Sequence, residues 1–261
     1  MTRVLILAAG SGKRLRPLTK NKPKILVKLF GKSILERQLE LFESCKIKDI
    51  AIVSGYKSNL LKKFKLINFK NKNYNKSNMV VSLFSAMKFL KENNSEDLII
   101  TYGDIIYEKK NLLKVMNEKN DICVMIDKNW LNYWKLRFKN PLSDAESLKL
   151  DKKNFLKEVG KKTNNYKNIN GQYTGLIKVK GRVINKLIKF YQKLDKKKFY
   201  DGNNFQNMYL TTFIQLLINN NIKIKAVIVK NGWLEVDSIQ DLNLYKKLYS
   251  KNTLDKFCKL S

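Results

Sequence analysis

Residues 4–26, VLILAAGSGKRLRPLTKNKPKIL, constrain this chain more than any other stretch. Val4 to Leu7 is an unbroken apolar run, the pattern of a strand buried on both faces of a parallel sheet. Ala8 and Ala9 keep the side chains small where the chain turns. Gly10 and Gly12, either side of Ser11, then permit a tight bend that aims backbone N–H groups at anionic oxygens without Cβ obstruction. Lys13 and Arg14 follow at once, the first a mobile point charge and the second a planar fork for phosphate oxygens. Pro17 and Pro23 stiffen the next segment, and Lys24 lies just beyond, able to return to the same pocket. The stretch reads as a phosphate-gripping loop on which three cations converge.

Spacing separates it from the two commonest glycine loops. Leu15 stands where the dinucleotide fingerprint needs its third glycine, and the G-x-x-x-x-G-K-[ST] pattern of a P-loop is absent. The stretch instead resembles the nucleotidylyltransferase signature L-A-A-G-x-G-x-R-L-x-P-L-T-x-x-x-P-K-x-L, matched without a gap from Leu7 through Leu26. The resemblance implies a loop that wraps a nucleoside triphosphate, with Lys24 and Arg14 at the reacting centre.

Composition bounds the rest. A chain of 261 residues, 44% of them hydrophobic, suits one α/β domain with additions. It has no run of eighteen apolar residues, and it runs straight into a strand without a leader pattern, so a cytoplasmic protein with no membrane partner is expected. Cys45, Cys123 and Cys258 are scattered and odd in number, as for reduced thiols. The lack of histidine removes the commonest general base and the commonest zinc ligand, leaving chemistry to carboxylates, lysines and metal. A net charge of +31 would suggest nucleic acid. Yet the lysines are dispersed, and Lys, Asn and Ile are enriched together as in A/T-rich coding, so no nucleic-acid partner is expected.

Downstream, the apolar spacing alternates as β-α-β-α-β. Residues 33–41 predict a helix with Ser33 as N-cap and Glu36 completing a capping box. Residues 49–55 read as a buried strand, 60–66 as a short lysine-rich helix, and the region of Ile67 as a third strand. Such alternation implies a doubly wound, mostly parallel, Rossmann-like sheet whose ligands sit beyond the carboxyl ends of its strands. Residues 71–85 pass from an Asn-rich loop into a helix near Met79, where Asn78 and Ser82 are caps or base contacts. Residues 97–107 form a strand run that turns at Gly103 and Asp104, placing Tyr102, Gly103 and Asp104 at the crevice of the opening loop. Mg²⁺ needs only one or two carboxylates beside substrate oxygens, so Asp104 suffices as a first ligand; a plain turn acid is the alternative.

Beyond the strand at residues 121–127, Trp130, Tyr133, Trp134, Arg137 and Phe138 crowd together. Aromatic faces there can enclose an ammonium, with Arg137 on a phosphate, or the rings can anchor the segment to the core. Ser143 with Glu146 has the spacing of a capping box, and Asp144 and Glu146 are candidates for an acceptor amine. Residues 148–150, 155–159 and 173–179 read as strands, and 181–194 and 205–217 as helices, with Asn207 bordering the acceptor. Residues 222–229 form a further strand, and residues 233–237 end in Asp237 before a capped helix from Ser238. Asp237 completes a metal site with Asp104 or serves its own helix N-terminus. The expected organisation is a single domain with an acceptor-binding insertion at approximately 128–210, with a homodimer among the expected assemblies.

Three more stretches extend the resemblance. N-M-V-x-S-L from Asn78, W-x-x-x-W-x-x-R-F-x-N-P-L-x-D-A-E from Trp130 and N-N-F-x-N-M-Y from Asn203 make the whole chain similar to small cytidylyltransferases. That branch includes the choline-phosphate, 2-aminoethylphosphonate and phosphoglutamine types, and the tryptophan block most resembles the last. Gly103-Asp104 departs from the A-D-N usual in the choline type. The resemblance implies CTP and a small anionic acceptor, Mg²⁺ on Asp104 and Asp237, and pyrophosphate held by Lys13 and Arg14. Sugar-1-phosphate uridylyl or thymidylyl transfer is the runner-up, and an idle nucleotide-binding fold is the alternative of another class.

Overall fold

The computed structural model describes residues 2–93 and 95–260. Its central strand, β1 (Thr2–Ala8), is buried from Arg3 to Ala8 because layers cover both of its faces. Strand alternation sends Val4, Ile6 and Ala8 into one core and Leu5 and Leu7 into the other. A short hairpin, β2 (Lys28–Leu29) and β3 (Lys32–Ser33), leads into α1 (Ile34–Ser44). Its expected capping box is present: Ser33 Oγ accepts from Glu36 N at 3.2 Å, and Ser33 N donates to Glu36 Oε2 at 2.7 Å. After β4 (Ile50–Ser54), residues Ser58–Phe64 form a 3₁₀ segment rather than an α-helix, and β5 (Ile67–Lys70) follows.

The chain continues through α2 (Met79–Ser85), α3 (Met87–Lys91), β6 (Asp97–Tyr102), β7 (Ile105–Tyr107), α4 (Lys109–Asn117), β8 (Ile122–Asp127) and α5 (Trp130–Arg137). A hairpin of β9 (Glu146–Leu150) and β10 (Leu156–Lys162) precedes β11 (Gln172–Val179) and α6 (Gly181–Lys193). A small hairpin, β12 (Phe199–Tyr200) and β13 (Asn203–Asn204), then leads to α7 (Leu210–Asn219), β14 (Lys225–Val229), β15 (Trp233–Glu235) and α8 (Ile239–Ser250).

Seven strands make the main sheet in the order β14-β8-β11-β6-β1-β4-β5. Among the described residues only β11 runs antiparallel to its neighbours in it, so the sheet is doubly wound and mostly parallel. Helices α1, α4, α5 and α8 cover one face, and α2, α3, α6 and α7 the other. Each large aliphatic side chain buried between these layers contributes about 1.5–3 kcal/mol.

Two local expectations are corrected. Ser143 and Glu146 form no capping box: Asn140 caps a single 3₁₀ turn at Pro141–Ser143, and Glu146 opens β9. The helix expected over residues 205–217 is split, because Asn204 caps a turn at Phe205–Asn207 and Tyr209 is extended before α7 begins. Within residues 128–210, expected as an acceptor-binding insertion, β11 lies between β8 and β6 in the middle of the main sheet.

Candidate active site

The opening loop leaves β1 where β6 also ends, with Leu7 in register with Tyr102. Gly103 N donates to Leu7 O at 2.9 Å, and a Cβ on Gly103 would stand 2.9 Å from both that oxygen and the Ala8 Cβ. Glycine therefore lets the turn after β6 lie flush on the loop, which sets Asp104 down beside it. Gly103→Ala is expected to cost about 1–3 kcal/mol of stability by overpacking. Turnover should fall with it as Asp104 shifts; a denaturant midpoint and turnover both like wild type would show that the backbone can give way.

Asp237 reaches the same place from β15. That strand pairs antiparallel with β7, placing Glu235 opposite Ile105, and Val236 N donates to Asp104 O at 2.8 Å. Lys24 begins a 3₁₀ turn, and its side chain passes Gly12, whose φ of 61° and missing Cβ leave room for it: an added Cβ would lie 2.9 Å from Lys24 Cβ. Lys24 Nζ donates to Asp104 Oδ2 at 2.7 Å and to Asp237 Oδ1 at 2.5 Å. Arg14 Nη1 meets the other Asp237 oxygen, Oδ2, at 2.5 Å. Burial alone would lower the pKa of Lys24, but Asp104, Asp237 and Glu235 outweigh it, so the ammonium stays charged with its pKa above the ordinary lysine value.

Two cavities flank this cluster. One is lined by Leu7, Ala8, Ala9, Gly10, Asn78, Ser82 and Gly103 together with Lys24 and Asp104. Ser82 Oγ and Ser77 Oγ both accept from buried Asn71 Nδ2 at 3.0 Å, and Asn78 Oδ1 accepts from Met79 N at 2.8 Å as a cap. Ser11, Gly12 and Lys13 are not part of that lining, and Lys13 is exposed on the rim. Tyr102, expected beside the nucleotide, belongs to the second cavity instead: strand alternation turns it from the loop toward Tyr173, with ring centroids 5.8 Å apart.

The second cavity, about 360 Å³, is lined by Arg14, Trp134, Asp144, Glu146, Tyr209, Thr211 and Glu235 among others, and shares Asn78 and Met79 with the first. Trp134 Nε1 donates to Asp144 Oδ2 at 3.1 Å. Burial lifts the Glu146 carboxyl to about 7, Asp144 and Asp201 adding to the rise and a hydrogen bond with Thr211 opposing it.

Three sequence candidates lie elsewhere. Trp130 is buried against Trp134 and Tyr166 and lines neither cavity, so it anchors α5 to the core. Arg137, expected on an acceptor phosphate, has its guanidinium engaged by Glu235 and Asp241 with the side chain 2% exposed. Asn207 accepts weakly from Asn78 Nδ2 at 3.4 Å through its carbonyl, while its own amide serves Asn204. Sequence reasoning missed Glu235, Tyr209 and Thr211. Glu235 was visible only as the acid two residues before Asp237 and Tyr209 only as the last residue of the N-N-F-x-N-M-Y stretch, while nothing in spacing marked Thr211.

The MobA-like NTP transferase domain model matches residues 4–157, more than half of the chain. The CTP:phosphoglutamine cytidylyltransferase of Campylobacter jejuni is 40% identical over 249 residues, covering 92% of this chain and 97% of that protein. The chain belongs to the MobA-like NTP transferases. As a member of that family it is a nucleotidyltransferase, with the loop, Lys24 and Asp104 all inside the matched region. Its fold is shared with the inositol-1-phosphate CTP transferase from T. maritima, at a TM-score of 0.73 and 19% identity over 99% of this chain and 98% of that one. The CTP:phosphocholine cytidylyltransferase from Streptococcus pneumoniae superimposes with a TM-score of 0.66 at 20% identity, over 96% and 99% of the two chains.

Proposed function

We propose that this chain transfers the cytidylyl group of CTP to a small phosphate- or phosphonate-bearing acceptor that also carries an amine, releasing pyrophosphate. One observation carries the reading: Lys24 and Asp104, in the wall of the loop-lined cavity, meet Asp237, whose other oxygen pairs with Arg14 in the wall of the acid-lined one. The likeness to the phosphoglutamine enzyme over nearly the whole chain supports CTP as donor. In a chain of net charge +31, a cleft holding Asp144, Glu146 and Glu235 beside aromatic rings favours a cationic group on the acceptor. A bound ammonium would draw Glu146 fully into its carboxylate form.

The residues present suit magnesium. Asp104 Oδ1 is buried and has no hydrogen-bond partner among the described residues, while the other oxygen and one from Asp237 lie within reach of a single ammonium. Two hard carboxylates without histidine or cysteine are the donor set Mg²⁺ takes when substrate phosphates and water complete its shell. When bound, such a cation neutralises charge on the α-phosphate and the attacking oxygen. Lys24 offsets charge growing on the equatorial oxygens, and Arg14 and Lys13 hold the departing pyrophosphate. The second pKa of a phosphate monoester is about 6, so the acceptor arrives ionised and the site needs no histidine as base.

The test is pyrophosphate release with Mg²⁺ and each of CTP, UTP, dTTP, ATP and GTP against phosphorylated amines, phosphonates and sugar 1-phosphates. CTP-selective release with an amine-bearing acceptor is expected. Release with sugar 1-phosphates alone would move the chain to uridylyl or thymidylyl transfer, and no release with any pair would mark an idle nucleotide-binding fold.

A further inference from the structure

Arg137 is a buried cation that touches neither cavity, and its partners lead back to the acidic pair. Its Nε donates to Asp241 Oδ1 at 2.8 Å, its Nη2 to Asp241 Oδ2 at 3.2 Å, and its Nη1 to Glu235 Oε2 at 2.6 Å. Tyr133, Trp134 and Phe138 surround the guanidinium, with ring centroids 5.3, 5.6 and 5.1 Å from Cζ. The same Asp241 Oδ2 accepts from Asp237 N at 3.0 Å, Ser238 N at 2.8 Å and Ser238 Oγ at 3.0 Å. One carboxylate thus joins the arginine fork to the backbone of Asp237.

A second link runs in parallel. Glu235 N donates to Tyr133 Oη at 2.9 Å, Tyr245 Oη donates to Glu235 O at 2.5 Å, and the two hydroxyls are hydrogen-bonded to each other. Residues 235–238 are therefore clamped between α5, which carries Tyr133 and Arg137, and α8, which carries Asp241 and Tyr245. Pairing of β15 with β7 fixes the strand, but Asp237 lies beyond the last paired residue, Glu235.

We propose that Arg137 is a positioning residue: through Asp241 it fixes the backbone of Asp237 so that its carboxylate meets Asp104 across the cation site. It also engages Glu235, whose negative charge would otherwise bear on the same two acids. This rests on the reading of Asp104 and Asp237 as a divalent-cation site. Partners behind a ligating group typically alter metal affinity about 10- to 100-fold when removed.

Two variants test it. Arg137→Lys keeps the charge and loses the planar fork, while Asp241→Asn keeps the shape and weakens its grip on both the arginine and the Asp237 amide. Mn²⁺ affinity in the presence of CTP, read by water-proton relaxation, is expected to weaken at least about tenfold in each. The cation concentration for half-maximal turnover should rise in step, while KM for CTP at saturating cation stays within about twofold of wild type. Unchanged Mn²⁺ affinity in a folded variant would overturn the proposal. So would parallel losses in CTP and cation binding, or failure of both variants to fold, since each marks a brace for the whole domain. Absence of a CTP-dependent Mn²⁺ signal in wild type would remove the cation site itself, and this proposal with it.

Discussion

Replacing Lys24 with methionine is expected to cut turnover at saturating substrates about 100- to 1000-fold, the range for losing one fixed charge-stabilising group in a water-poor site. Methionine keeps much of the length of the side chain past Gly12, so the loop keeps its shape. The electrostatic consequence extends to the resting protein. Asp104 Oδ2 and Asp237 Oδ1, both bonded to Lys24 Nζ, would face each other with, among the described residues, only the Arg14 ion pair remaining, on the far oxygen of Asp237. Removing one partner from a buried ion pair costs about 3–5 kcal/mol, and less here because a proton or a divalent cation can replace the ammonium. Thermal midpoints in EDTA and in Mg²⁺ check this: Mg²⁺ should recover more stability in the variant than it adds to wild type. Near-normal turnover in Lys24→Met would remove the residue from the reacting centre.

Asp104→Asn should be nearly as damaging to turnover and much gentler to the fold. The amide oxygen can still accept from Lys24, and the backbone bond from Val236 N to residue 104 is untouched. What disappears is the negative charge at a carboxylate whose Oδ1 has no protein partner among the described residues. A cation bound at this position, as proposed, would supply several kcal/mol of transition-state stabilisation. Losing about 3 kcal/mol of that corresponds to more than 100-fold in turnover. Higher Mg²⁺ should recover part of it, with near-UV circular dichroism unchanged. Activity within about threefold of wild type at low Mg²⁺, equivalent to well under 1 kcal/mol, would show that Asp104 is only a turn residue.

The opening loop was legible because its chemistry is local. Glycine at positions 10 and 12, small residues before them and cations after them are consecutive, and the turn they make needs no distant partner. The alternation that implied a doubly wound sheet was legible for the same reason, since burial on both faces of β1 leaves a continuous apolar run. The capping box at Ser33 and Glu36 formed as expected, whereas the identical spacing at Ser143 and Glu146 did not. Pro141 and Asn140 there favour a single turn, and the following residues are drawn into the pairing of β9 with β10. The tryptophan block misled in part because aromatic rings and an arginine look the same in sequence whether they wrap a ligand or a buried carboxylate. Trp134 lines the cleft while Trp130 and Arg137 do not, and because the two tryptophans are equally buried, it is the direction of each side chain that separates them.

By itself the sequence determined the sheet class, the glycine-bearing opening loop and the supply of acids and lysines from which any chemistry had to be drawn, since each depends on neighbours in the chain. Tertiary structure alone decided which acids meet. The pairing of β15 with β7 brings Asp237 to Asp104, and the β11 bulge region, α5 and α7 assemble Tyr173, Trp134 and Thr211 around Glu146. Those contacts join residues far apart in sequence, and a strand register one residue different would turn strand side chains such as Tyr173 to the opposite face.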